Sequence, residues 1–221
     1  MKKTLTMFFV VLAVFSFSNI SNAQFKMKLG PNLGMNFNLH TGSDLTESGN
    51  GFGVVIGAGL DMQFTPMIGL ITNMQFYDNR SGSTEESGSV QGISYTVDNS
   101  ISLAYFMIEP LFKLSIPNSG FYFVMGPALG FNLEASQELK ITSQNDQVTF
   151  QDGSTKQKST IRETLARFEI KFGAGYDIPL GGITELSPQL SFGYGLSKVR
   201  SDVEWRVLTI QALVSAKFRI I

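Results

Sequence analysis

The feature that most constrains this chain is a two-residue alternation that recurs along nearly its whole length. In LARFEIKFGAGYDI (165–178), Ala166, Phe168, Ile170, Phe172, Ala174, Tyr176 and Ile178 alternate with Arg167, Glu169, Lys171, Gly173, Gly175 and Asp177. Period two marks a β-strand with two unlike faces. Segments 26–39, 52–64, 67–77, 103–114, 121–136, 184–197 and 207–220 repeat the pattern, which makes eight strands. Most run 11–16 residues. An ordinary sheet strand has about five or six residues, whereas a tilted membrane strand needs about 9–11 for the lipid region.

The connections alternate as well. Residues 65–66, 115–120 and 179–183 are short and turn-like, whereas 40–51, 80–98 and 137–160 are long, polar and rich in Ser, Gly, Gln and Thr. Segment 198–206 is intermediate. Short turns at one end and long loops at the other are the pattern of an outer-membrane barrel with both termini periplasmic.

Eight strands close into a narrow barrel whose interior holds side chains and little else. The Gly- and Ala-bearing faces fit inside such a lumen, and the Phe-bearing faces overfill it. The expected arrangement is therefore polar inside and apolar outside. Carrying the polar faces inward collects Lys28, Lys113, Arg167, Lys171, Lys217 and Arg219 against Asp61, Glu109, Glu134, Glu169, Asp177 and Glu185. These twelve are the candidate lumenal charge network, six of each sign. Unpaired ions in a tight interior would cost several kcal/mol each, so equal numbers favour mutual pairing.

Aromatic residues fall toward both ends of the strands, as in interfacial girdles. Phe121 and Phe131 mark the two levels on one strand, and Trp205 is expected at the outer interface. Four prolines (Pro31, Pro110, Pro127, Pro188) fall inside strands, where each removes a ladder hydrogen bond. Bulges or breaks are expected there.

The first 23 residues differ in kind. Lys2 and Lys3 precede an apolar run, LTMFFVVLAVFSF (5–17), and Ser21-Asn22-Ala23 has the small residues of a cleavage site. This reads as a secretory signal peptide (1–23), leaving residues 24–221 as the barrel domain. Without its two lysines the chain has 15 basic and 18 acidic residues, giving no reason to expect nucleic acid as a partner. There is no Cys, which excludes disulfides, thiolate metal sites and cysteine catalysis. No phosphate loop, nucleotide motif or metal-ligand spacing occurs, so no cofactor and no metal is expected.

Taken together, KLGPNLGMNF (28–37), GFGVVIGAGLDMQF (51–64), YFMIEPLFKL (105–114), FYFVMGPALGFNL (121–133), FGAGYDIPL (172–180) and LSFGYGLS (190–197) make the chain resemble the outer-membrane protein β-barrel family of Bacteroidetes type, which includes PorT-like proteins. The resemblance implies an eight-stranded, antiparallel, up-and-down transmembrane β-barrel in the outer membrane of a Gram-negative envelope. It also implies outer-membrane lipid and the barrel-assembly machinery as partners. The chain departs from the common aromatic terminus by ending Lys217-Phe218-Arg219-Ile220-Ile221.

The function expected is non-enzymatic: an anchored barrel that presents its long loops for binding. A small solute pore is the alternative. A lipid-modifying enzyme would need a positioned base, and the single histidine, His40, shows no partner in the sequence.

Overall fold

The computed structural model describes residues 25–44, 48–144 and 147–220. The expected signal peptide lies outside them. Eleven strands form one sheet: β1 (Lys26–Thr41), β2 (Gly49–Gln63), β3 (Ile68–Asn79), β4 (Gly82–Val90), β5 (Ile93–Ser115), β6 (Phe121–Ser143), β7 (Lys156–Thr160), β8 (Arg167–Tyr176), β9 (Ile178–Gly181), β10 (Thr184–Gly195) and β11 (Arg206–Arg219).

Eight of these close a ring. Antiparallel pairing runs β1–β2, β2–β3, β3–β5, β5–β6, β6–β8, β8–β10, β10–β11, and returns through β11 to β1. The closing ladder is long, from Lys28 opposite Arg219 to Thr41 opposite Arg206. Closure removes the free edges that would otherwise leave backbone donors and acceptors unpaired in lipid. The eight ring strands coincide with the eight alternating segments of the sequence.

The faces divide as the alternation predicts. Asn32, Asn36, Asn38 and His40 of β1 are buried, and Leu29, Leu33 and Met35 on the alternate positions are exposed. On β8, Arg167, Glu169 and Lys171 are buried while Phe168, Ile170 and Phe172 face out. The outer surface carries Phe52, Phe112, Phe121, Phe123, Phe131, Phe172, Leu190 and many other large apolar side chains in the open. So continuous an apolar surface is suited to lipid and not to water.

The prolines are accommodated without bulges. Pro31 pairs with Ala58 on β2, but its β11 side is unpaired between Leu29 and Asn32. The β5–β6 ladder lapses between Ile108 opposite Leu129 and Phe112 opposite Met125, a register that sets Pro110 against Pro127. Each proline thus keeps one ladder and loses the other, where it has no N–H to give. The bulges lie elsewhere, at Ile56/Gly57, between Gln75 and Asp78, at Ala104/Tyr105 and at Thr184/Glu185.

Segment 80–98, expected as a solvent loop, is largely strand, and segment 137–160 is strand at both its ends. β5 and β6 each run 23 residues and rise well past the lipid band. β4 pairs along β5 from Gly82 opposite Ile101 to Val90 opposite Ile93. β7 pairs along the far side of β6. The β4–β5 turn is Gln91-Gly92, both with positive φ (52° and 82°), the two-residue geometry that suits the twist of a hairpin. These segments escaped the periodicity test because their polar residues fall on both faces.

Candidate functional site

The lumen holds three charge clusters, stacked from the short-turn end toward the long-loop end. At the short-turn mouth, Lys28 donates to both carboxylate oxygens of Glu185 at 2.8 and 2.7 Å.

The second cluster is a two-by-two box. Asp61 Oδ2 accepts from Lys113 Nζ at 2.8 Å and from Lys217 Nζ at 2.7 Å. Asp177 closes the other side, at 2.7 Å from Lys113 and 3.3 Å from Lys217. Tyr122 supports it: Lys113 Nζ lies 4.4 Å from its ring centroid, a cation–π contact. The Tyr122 hydroxyl is 2.9 Å from Ser187 Oγ, which donates to Asp177 Oδ1 at 2.6 Å. A glycine is required at 175 because a Cβ there would collide with the Tyr122 ring.

The third cluster lies deepest. Arg167 grips Glu169 Oε2 through Nε and Nη2, at 2.9 and 2.6 Å. Arg80 pairs with Asp78 at 2.5 Å and reaches Glu169 Oε1 at 3.6 Å. Lys171 lies 3.6 Å from Glu169 Oε1, bonds Glu109, and donates to Gln211 Oε1 at 3.0 Å. Asn36 donates to Asp78 at 2.6 Å and Asn73 to Glu109 at 3.2 Å. All six ions are buried, and charge-assisted bonds of this kind offset part of the desolvation that burial imposes.

Ten of the twelve sequence candidates stand in these clusters. Glu134 and Arg219 do not, and both are exposed. For Glu134 the cause is the β5–β6 bulge. Asn132 faces Tyr105 and Glu134 faces Ala104, so Leu133 is the extra residue and the strand changes phase there. Arg219 stands at the rim, where β11 ends. Their places are taken by Asp78 and Arg80, which the sequence reading left outside its strands. The bulge between Gln75 and Asp78 moves the buried positions of β3 from odd to even numbers. The exchange replaces one acid and one base by another of each, so the clusters remain balanced.

Toward the long-loop end of the charges lies an apolar cluster. Leu103, Tyr105, Met107, Ala128, Ala135 and Val207 line the upper wall, and Val199 and Trp205 from the β10–β11 connection pack among them. Trp205 is therefore not at the outer interface as expected. Its indole N–H donates to His40 Nδ1 at 3.0 Å, and His40 Nε2 donates to the Ser81 carbonyl at 3.1 Å. Both ring nitrogens of the single histidine are thus engaged in holding this cluster in place. Among the described residues there is no group of three or more His, Cys, Asp or Glu placed to hold a metal.

The family model for the outer membrane protein beta-barrel domain matches residues 17–201. No curated protein matches in sequence. Among solved structures, the chain is similar to Ail, the attachment invasion locus protein of Yersinia pestis, crystallised with the heparin analogue sucrose octasulfate. That match has 12% identity, 88% of this chain and 99% of that one covered, and a TM-score of 0.39. It is also similar to the outer membrane protein OprG of Pseudomonas aeruginosa, at 8% identity, 89% and 95% coverage and a TM-score of 0.36. The N-terminal β-barrel domain of OprF from the same organism matches at 12% identity, 85% and 97% coverage and a TM-score of 0.28.

Proposed function

We propose that this chain, which belongs to the outer membrane protein beta-barrel domain family, is a closed, non-conducting and non-enzymatic barrel. Its working surface is the sheet that rises beyond the long-loop end. The observation that carries this reading is the filling of the lumen: three balanced ion clusters lie beneath an apolar seal anchored by Trp205 and His40. A pore would need a continuous aqueous path, and each of these layers stands across it.

Planar-bilayer recording of the detergent-extracted, refolded chain is the direct test. No discrete conductance is expected, and stable unitary openings would overturn the reading. An enzyme acting through His40 is disfavoured because neither ring nitrogen is free to serve as base. His40→Ala should leave envelope lipid composition unchanged.

The reading includes cleavage after Ala23, both termini in the periplasm, and folding by the barrel-assembly machinery. N-terminal sequencing of the outer-membrane form should begin at Gln24. Protease added to intact cells should cut the long-loop side and spare the short turns. Within the family, the Gly-aromatic segments support placement with the PorT-like proteins.

A further inference from the structure

The extension beyond the long-loop end is a four-stranded sheet in the order β4–β5–β6–β7. Unlike the ring below, it has two edges. β4 touches β2 only at its base, through Asn50 opposite Ser83, and β7 has β6 as its sole strand partner among the described residues. Among the described residues no strand pairs with the outer side of β7 or with β4 beyond its base, which leaves ladder donors and acceptors there for another strand.

The two edges carry opposite charge. β4 bears Glu85 and Glu86, and β7 bears Lys156 and Lys158. One cross-strand row runs Glu85, Asp98, Lys140, Lys156, each residue directly opposite the next. Within a protomer this row sets two acids side by side and two bases side by side. Like charges directly opposite each other are destabilising in a sheet. Only the central Asp98–Lys140 pair is of opposite sign. Lys156 finds partial relief in Glu138 at 3.0 Å, an exposed pair of small worth.

We infer that the acidic β4 edge of one copy pairs with the basic β7 edge of a second copy of this chain, extending the sheet from molecule to molecule above the membrane. Repeating the row places Lys156 beside Glu85 of the neighbour, so each unfavourable end gains an opposite charge. Direction agrees. β4 runs away from the barrel and β7 runs toward it, so two copies inserted the same way bring β4 and β7 together antiparallel. Like edges would meet parallel and with like charge. Electrostatic complementarity therefore selects β4–β7 over β4–β4 and β7–β7. The contact is head-to-tail, and closes into a ring or runs on as a row according to its angle.

The test uses the whole chain assembled in its membrane, and the lack of native cysteine makes it clean. Thr84→Cys on β4 and Gln157→Cys on β7, which the proposed register sets directly opposite each other, are introduced singly and together, and membranes are treated with a short bismaleimide. Within one molecule the two sites end one cross-strand row, three strand spacings or about 14 Å apart, and a link there would join no second chain. The reagent therefore reports contact between copies. The double variant should give cross-linked dimers and higher species, and each single variant should give none. Adding E85K and E86K should abolish the bands, and adding K156E and K158E to that chain should restore them. Heat-modifiable gel migration of every variant shows separately that the barrel has folded. Folded double variant without bands, bands from either single variant, or bands indifferent to charge reversal would each overturn the inference.

Discussion

Glu109 and Lys171 bond across the lumen from β5 and β8, both fully buried, and each is held by an amide as well, Asn73 for Glu109 and Gln211 for Lys171. An ion pair so placed contributes little net stability but makes the loss of one partner costly, because the other charge is left in the interior. Glu109→Gln or Lys171→Met alone should lower the unfolding free energy in detergent micelles by about 3–5 kcal/mol. The double variant should lose less than the sum, and urea unfolding followed by gel migration would measure the coupling. Equal, additive losses would show that the two charges are compensated by other members of the cluster. At this scale the sequence was informative because the fold class dictates the face. Once eight strands and a narrow lumen are inferred, Arg167, Glu169 and Lys171 have nowhere to go but inside. Partner choice was not legible. Nothing in the sequence pairs Asp61 with Lys113 and Lys217, residues 52 and 156 positions away, because shear and register of the closed ring set those distances.

At the scale of elements, periodicity located all eight ring strands, and bulges marked its limit. A single extra residue reverses the inward and outward roles of everything beyond it. Leu133 does this to Glu134, and the bulge before Asp78 does it to Asp78 and Arg80. The continuing polar alternation of Asp78 and Arg80 was a readable signal, but it lay past residue 77, where the sequence reading ended the strand. The strands above the lipid were hidden for another reason: with no buried core behind them, their residues carry no apolar stripe. β-Branched residues such as Thr96, Val97, Ile141 and Thr142 were the remaining cue. The phase change is testable by single-cysteine labelling in this cysteine-free chain. Glu134→Cys should react with a membrane-impermeant maleimide on intact cells. Arg219→Cys, at the short-turn rim, should react only after the outer membrane is permeabilised. Ala128→Cys, buried on the same strand below the bulge, should stay unlabelled in both. No labelling at either 128 or 134 would mean the strand continues in phase.

For the whole molecule, the proposed non-conducting reading puts two barriers in series. The apolar seal of Val199, Trp205, Leu103 and Tyr105 closes the long-loop end, and the Asp78–Arg80–Glu109–Arg167–Glu169–Lys171 cluster fills the lumen beneath it. Barriers in series are governed by the highest, so removing one leaves the other in command. Trp205→Ala alone frees the end of the β10–β11 connection and leaves His40 Nδ1 without its donor, yet the ions below still block the lumen. Glu109→Ala with Lys171→Ala removes a balanced pair and leaves the seal. Neither variant should conduct in a planar bilayer. The three substitutions combined should open a small conductance of weak ion selectivity, since equal numbers of each sign remain in the lumen. A conductance from Trp205→Ala alone would place the whole barrier in the seal and make the charge clusters permeable as they stand. Silence from the triple variant, with its heat-modifiable migration intact, would place the barrier lower, at the box formed by Asp61, Lys113, Asp177 and Lys217.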